Sequence, residues 1–122
     1  KLASRKRYVM PAASHVFVSS VSAQRGQMAL AAYSASKGAL EAMVRCVSLE
    51  LAGRQQRVNS VCLGWIEGTR MTAEKLAGSS FAAPPLGQGV PADAAGAVLF
   101  LLSDRTRWMT GTNLVMDGGY LA

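Results

Sequence analysis

The 122-residue chain has few of the side chains from which metal centres and disulfide frameworks are built. It contains one histidine and two cysteines, Cys46 and Cys62, and these residues do not stand at metal-ligand spacing. Because each cysteine lies within an apolar segment, we expect both thiols to be reduced and buried. His15 opens a β-rich run without an acidic or thiol partner and is expected to be structural. The sequence therefore predicts no metal site.

Charged residues and long apolar runs are scarce as well. The chain is 16% charged and 50% hydrophobic, a composition that excludes a disordered protein. No apolar run reaches the roughly 18–20 residues that cross a bilayer, and residues 1–7 lead into no signal-peptide core. We therefore expect one domain over residues 1–122, no membrane partner and a cytoplasmic location.

The net charge of +6 is concentrated at one end of the sequence. There are 13 Lys+Arg and 7 Asp+Glu, and four of the basic residues fall within residues 1–7, which leaves 9 minus 7, or +2, for the rest. A short basic end can bind phosphate, but this one lacks interleaved aromatic residues and a recognition helix. We expect no nucleic-acid partner. A steep salt dependence of affinity for DNA or RNA would indicate the opposite.

Short β-rich runs alternate with periodic helices along the chain. The runs at residues 15–19, 57–62 and 112–116 are predicted as buried strands. A helix is predicted over residues 30–51, with Gly53 as its stop signal. Its core-facing residues recur at three- and four-residue spacing: Leu40, Met43, Val44, Val47 and Leu51.

A second helix is predicted to begin at Pro91, where the missing N–H is harmless and Asp93 meets the positive end of the helix dipole. Its predicted core-facing residues are Ala94, Ala95, Val98, Leu99, Leu101 and Leu102. The segment 69–89 has no clear period and is interpreted as a lid, with a short helix around residues 73–76. Alternating strands and helices indicate an α/β fold with a parallel sheet, although three strands are few for a doubly wound domain.

Tyr33 and Lys37 stand four residues apart, one turn along the same face of the first predicted helix. A fixed cation beside a phenol favours the phenolate, so this Tyr can give or take a proton. Ser20 lies at the carboxyl end of the first strand, where parallel sheets place ligand-contacting groups. Its hydroxyl can hydrogen-bond to an oxygen that Tyr33 protonates. By spacing alone, ordinary packing of the Tyr over the Lys stem remains the alternative.

Four motifs, in order and in register, closely resemble the short-chain dehydrogenase/reductase family. They are VFVSSVSA at 16–23, AYSASKGAL at 32–40, RVNSV at 57–61 and GTNLVMDGG at 111–119. The resemblance implies an NAD- or NADP-dependent oxidoreductase that interconverts a secondary alcohol and a ketone, small molecules both. It also implies the C-terminal half of a Rossmann-like, doubly wound parallel sheet, with three strands, two main helices and a lid segment.

The resemblance assigns roles to individual residues. Tyr33 matches the catalytic acid/base, Lys37 the residue that supports it and binds the nicotinamide ribose, and Ser20 the hydroxyl that positions the substrate oxygen. Ser19 is the weaker candidate for the role of Ser20. In the loop after the second strand, Leu63 replaces the family's Pro and the Thr comes one residue late. The implied cofactor-binding residues are Tyr33, Lys37, Gly64, Ile66 and Thr69.

The family's N-terminal half, with its Gly-rich diphosphate turn and the residue that selects NAD or NADP, has no counterpart in this sequence. We therefore expect a fragment or truncated form, inactive by itself, whose first strand is an exposed sheet edge. The alternative is a non-catalytic assembly or scaffold module of the same fold. A Gly-rich strand-turn-helix upstream of Lys1 would favour the enzyme.

The remaining aromatic residues have less specific interpretations. Trp65 and Met71 border the predicted lid, where they either line a substrate pocket or cover the core. The resemblance implies a homodimer or homotetramer, and Trp108 and Tyr120 are expected in its interface or in the core.

Overall fold

Three parallel strands and two helices make up the computed structural model, which describes residues 12–69 and 83–122. The elements are β1 (Ser14–Ser20), α1 (Ala31–Ala52), β2 (Arg57–Leu63), α2 (Pro91–Leu102) and β3 (Asn113–Met116), with short 3₁₀ turns at Val21–Ala23 and Asp104–Thr106. The predicted α/β class and the predicted parallel sheet are confirmed. The predicted helix at 73–76, Met71 and the basic residues 1–7 lie outside the described residues.

The strand order is β1-β2-β3, so β1 is an edge of the described sheet, as expected. The two helices cover opposite faces of this sheet. Val44 and Leu51 of α1 pack on Val58 of β2, whereas Leu101 of α2 packs on Val61. Because residues three apart in a strand point to opposite faces, each helix has its own half of the core. Neither helix of the described residues is long and apolar enough to span a bilayer.

Some predicted core positions are wrong. Met43 is 41% exposed, Leu99 66% and Leu102 44%, while Ala95 and Cys46 are also exposed. Each helix buries only a narrow stripe against the sheet, and in α2 this stripe runs through Ala97, Val98 and Leu101. Residues beside the stripe point away from the sheet whatever their hydrophobicity.

The RVN part of the third motif joins β2 to the end of α2. The Arg57 guanidinium donates hydrogen bonds to the carbonyl oxygens of Leu101 (3.0 Å) and Ser103 (3.1 Å), which places a cation at the negative end of the helix. The fully buried Asn59 donates to the carbonyl of Met109 at 2.9 Å and accepts from the Thr112 amide at 3.1 Å. These bonds fix the connection into β3.

Candidate active site

All the residues predicted for the site line one cavity at the carboxyl ends of β1 and β2. Its volume is about 190 Å³, and its walls include Ser20, Tyr33, Lys37, Gly64, Ile66 and Thr69. A larger cavity of about 430 Å³ lies at the amino ends of the same strands and contains none of them. Ligand sites in open parallel sheets lie at the carboxyl ends, so the smaller cavity is the candidate.

Ser20 sits where β1 passes into the first 3₁₀ turn. Its Oγ accepts a hydrogen bond from the Ser22 amide at 3.2 Å, which caps the turn and fixes the side chain at the cavity wall. Its only other described contact is with the Ser22 hydroxyl at 3.4 Å. That distance is long for a bond between hydroxyls, so the Ser20 O–H can turn towards an oxygen in the cavity at little cost.

Tyr33 and Lys37 lie one turn apart at the start of α1, as predicted. The Lys37 Nζ is 5.7 Å from the centre of the Tyr33 ring and donates a hydrogen bond to the carbonyl oxygen of Val18 at 2.8 Å. This bond attaches the ammonium to β1 two residues before Ser20. The three predicted catalytic side chains are thus held on two neighbouring elements that contact each other directly.

The loop after β2 supplies another part of the cavity wall. Ile66 pairs with Gly89 in an isolated parallel bridge, supported by hydrogen bonds from the Glu67 amide to Gly89 (2.8 Å) and from the Gly89 amide to Trp65 (2.9 Å). The Thr69 hydroxyl donates to the carbonyl of Ile66 at 3.2 Å. The described end of the predicted lid is therefore joined to this loop.

Gly64 permits a close approach between β2 and the turn after β3. A Cβ built on Gly64 would lie 2.6 Å from the Cα of Asp117, and the Gly64 amide donates to the carbonyl of Met116 at 2.9 Å. The carboxylate of Asp117 accepts the amides of Gly119 (2.9 Å) and Leu121 (2.8 Å), so the whole turn would have to shift to make room. Only glycine fits at this point of the cavity wall.

We expect Gly64→Ala to lower the free energy of unfolding by about 1–3 kcal/mol, the usual cost of overpacking. Thermal denaturation of the purified variant would measure this loss. Gly96→Ala is the matched control, because Gly96 is exposed in α2 with nothing within 4 Å of a built Cβ. It should raise the stability by up to about 1 kcal/mol. Equal effects of the two substitutions would contradict the steric argument.

Tyr120 joins the two loops beside the cavity and is only 4% exposed, which makes it a core residue. The centre of the Tyr120 ring is 6.1 Å from that of Trp65, in the loop after β2. The Arg25 guanidinium, in the loop after β1, lies 4.4 Å from the centre of the Tyr120 ring. Arg25 also donates to the Tyr120 carbonyl at 2.6 Å. Trp65 thus fits both of its interpretations, since it lines the cavity and packs on the core. Trp108 is 93% exposed in the single chain.

Two buried groups next to the cavity-lining Ser19, namely Glu41 and Cys62, were not predicted for the site. Glu41, on α1, is buried and accepts hydrogen bonds from β1 and β3. Burial, followed by the charge of Glu41, raises the pKa of the Cys62 thiol to about 12. Cys62 therefore stays protonated at neutral pH and does not act as a nucleophile. The signal for Glu41 in the sequence is its spacing of four residues from Lys37 and eight from Tyr33.

Comparisons with known proteins settle the family. A family profile described as Enoyl-(Acyl carrier protein) reductase, one of the short-chain dehydrogenase/reductase profiles, matches residues 2–121. The chain belongs to the short-chain dehydrogenase/reductase family. The resemblance carried by the four sequence motifs is thereby confirmed.

Individual family members show how far the similarity extends. The chain is 38% identical over 112 residues to 2-(S)-hydroxypropyl-CoM dehydrogenase 3 of Xanthobacter autotrophicus, covering 84% of the chain and 44% of that protein. A short-chain dehydrogenase family protein from Francisella tularensis superposes with a TM-score of 0.82 at 33% identity, and the match covers 95% of the chain and 54% of that protein. The structure of 4-hydroxyisoleucine dehydrogenase complexed with NADH superposes with a TM-score of 0.79 at 32% sequence identity. This match covers 88% of the chain and 46% of that protein. The chain spans about half the length of the curated relatives it matches.

Proposed function

We propose that residues 1–122 form the catalytic and substrate-binding half of a Rossmann-like domain in an NAD- or NADP-dependent oxidoreductase. The proposed reaction interconverts a secondary alcohol and a ketone. The observation that carries the proposal is the convergence of Ser20, Tyr33 and Lys37 on one cavity at the carboxyl ends of the strands. A relative named for oxidising a hydroxypropyl compound and a structural neighbour complexed with NADH support the same class of reaction.

The side chains around the cavity fit the nicotinamide end of a dinucleotide. The cavity is lined by an ammonium and several hydroxyl groups together with the apolar side chains of Leu63 and Ile66. Lys37 and Tyr33 would hold the ribose, while Gly64, Ile66 and Thr69 would contact the nicotinamide itself. When bound, the nicotinamide supplies or accepts the hydride.

The protein's own groups handle the proton and the substrate oxygen. The Tyr33 hydroxyl gives its proton to the oxygen of a ketone and is left as a phenolate; in the reverse reaction the phenolate oxygen takes the proton of the alcohol. The Ser20 hydroxyl donates a hydrogen bond to the same oxygen and so stabilises the negative charge that develops on it. One N–H of Lys37 is donated to the carbonyl of Val18, and the ammonium, one turn from Tyr33, would hold the ribose with its other N–H groups.

The assembly and location that we propose are a homodimer or homotetramer in the cytoplasm. Exposed apolar side chains on α2 and after it support self-association: Leu99, Phe100, Leu102 and Trp108. The absence of a disulfide pair suits a reducing compartment, since Cys46 is exposed and Cys62 is buried, both as free thiols.

The test is a cofactor-binding and turnover assay on the full natural protein. Calorimetry with NADH and NADPH is followed by turnover of secondary alcohols with the oxidised cofactor and of the matching ketones with the reduced one. We expect one of the two cofactors to bind at micromolar concentration and at least one alcohol and ketone pair to be interconverted. A folded oligomer that binds neither cofactor would overturn the proposal and favour the scaffold module.

A further inference from the structure

A carboxylate is buried in the middle of α1, on the same face as the proposed catalytic pair. Glu41 follows Lys37 by four residues and Tyr33 by eight, which places the three side chains in one row along the helix. Glu41 is only 6% exposed. Glutamate is almost never buried to this extent unless specific partners compensate for the loss of water.

The partners of Glu41 come from three different parts of the chain. Its Oε1 accepts a hydrogen bond from the Ser19 hydroxyl of β1 at 2.8 Å. Its Oε2 accepts from the side-chain amide of Asn113 in β3 at 3.1 Å. It also accepts from the side-chain amide of Gln24, just after the first 3₁₀ turn, at 3.3 Å. Asn113 is oriented in turn by the Ser60 hydroxyl, which donates to its Oδ1 at 2.5 Å.

These bonds reach the segment that carries the proposed catalytic serine. Lys37 holds the carbonyl of Val18, Glu41 holds the side chain of Ser19, and Ser20 follows directly. Two successive residues of β1 are thus fastened to two successive turns of α1. This pair of attachments links the strand end that carries Ser20 to the helix that carries Tyr33. Ser19 and Glu41 are both buried, so a loss of the bond between them would leave a buried polar group unpaired.

We infer that Glu41 is a positioning residue, whose buried carboxylate keeps Ser20 in register with Tyr33 and Lys37. The inference rests on the proposed function. An apolar residue of similar size would fill the same space without the cost of burying a carboxylate. The carboxylate differs from such a residue in aligning the end of β1, the turn after it and β3 at once. Misplacement of a reacting group by about 1 Å can cost about 100-fold in rate.

The test is Glu41→Gln in the full natural protein. The new side-chain amide keeps an oxygen that can accept from the Ser19 hydroxyl. Its NH₂ group, however, faces the NH₂ groups of Asn113 and Gln24, which are donors as well. We expect kcat to fall by about 10- to 100-fold, with the dissociation constant of the cofactor changed by less than about 2-fold. Adding Asn113→Asp restores an acceptor opposite the new donor and should recover most of kcat. Glu50→Gln, at an exposed position of the same helix, is the matched control and should keep the original kcat.

Each outcome decides the inference. A kcat of Glu41→Gln equal to that of the unmodified protein would overturn it, while a large loss in Tyr33→Phe would still support the proposed function. Parallel losses of melting temperature, cofactor affinity and kcat, without rescue by Asn113→Asp, would show a merely structural role. If the unmodified protein neither binds a cofactor nor converts any substrate, the proposed function is refuted and this inference with it.

Discussion

Tyr33→Phe in the full natural protein should lower kcat by about 100- to 10,000-fold, the range that a positioned acid/base contributes. The substitution removes one oxygen atom and keeps the ring beside Lys37. Within the described part of the chain, no residue hydrogen-bonds to the Tyr33 hydroxyl, so the fold loses no described bond. The melting temperature should therefore stay near that of the unmodified protein, which separates a chemical effect from unfolding.

The matched control for Tyr33→Phe is Tyr120→Phe. It removes a phenolic hydroxyl that accepts a hydrogen bond from Gln27 at 3.3 Å and does not line the cavity. Because that bond is long, and Gln27 lines the cavity without being one of the proposed catalytic residues, we expect a loss of kcat of less than about 10-fold. Steady-state kinetics with saturating cofactor would measure both variants. Turnover of Tyr33→Phe close to that of the unmodified protein would refute its role as acid/base.

The 122-residue chain by itself should bind neither NADH nor NADPH measurably in calorimetry and should show no dehydrogenase activity. Affinity for a dinucleotide comes largely from its diphosphate, held by a Gly-rich turn at a helix N-terminus, and from its adenosine ribose. The cavity of about 190 Å³ is smaller than the 300–1,000 Å³ typical of ligand pockets and suits only one end of such a molecule.

The start of α2 does not replace the diphosphate site, although residues 87–92 read GQGVPA. No strand of the described residues leads directly into this run. The Asp93 carboxylate accepts the Val90 amide at 2.8 Å, and Pro91 has no N–H to offer. The first turn of the helix is therefore already capped by a carboxylate, and a carboxylate at this position also repels phosphate.

Two measurements on the isolated chain test this prediction. Circular dichroism establishes that the preparation is folded, and calorimetry and size-exclusion chromatography then report binding and association. Since β1 is an edge of the described sheet and Val18 is 47% exposed, we expect dimers or aggregates. A soluble monomer that binds NADPH at micromolar concentration, worth about −8 kcal/mol, would contradict the prediction.

Local patterns in the sequence were enough to locate the described strands and helices and the predicted residues that line the cavity. The β-rich runs and the three- and four-residue spacing in α1 depend on neighbours within a few residues, so each predicted strand ends within one residue of its observed position. The placement of Tyr33 and Lys37 on one face follows from helix geometry alone. The choice of Ser20 rests on its place at the end of a parallel strand and on the resemblance to the family.

Contacts between residues far apart in the chain were decided by the tertiary structure. The sequence of α2 did not separate core from exposed positions, because an almost uniformly apolar helix shows little periodicity. Only packing on the sheet distinguishes Leu101 from Leu99. The spacing of Glu41 places it on the face of Tyr33 and Lys37, but its burial follows only from the donors that β1 and β3 supply, 22 and 72 residues away. The need for glycine at Gly64 arises from Asp117, which reaches it only when β3 has joined the sheet. Sequence patterns report local geometry, whereas burial and hydrogen-bond partners are set by which surfaces meet on folding.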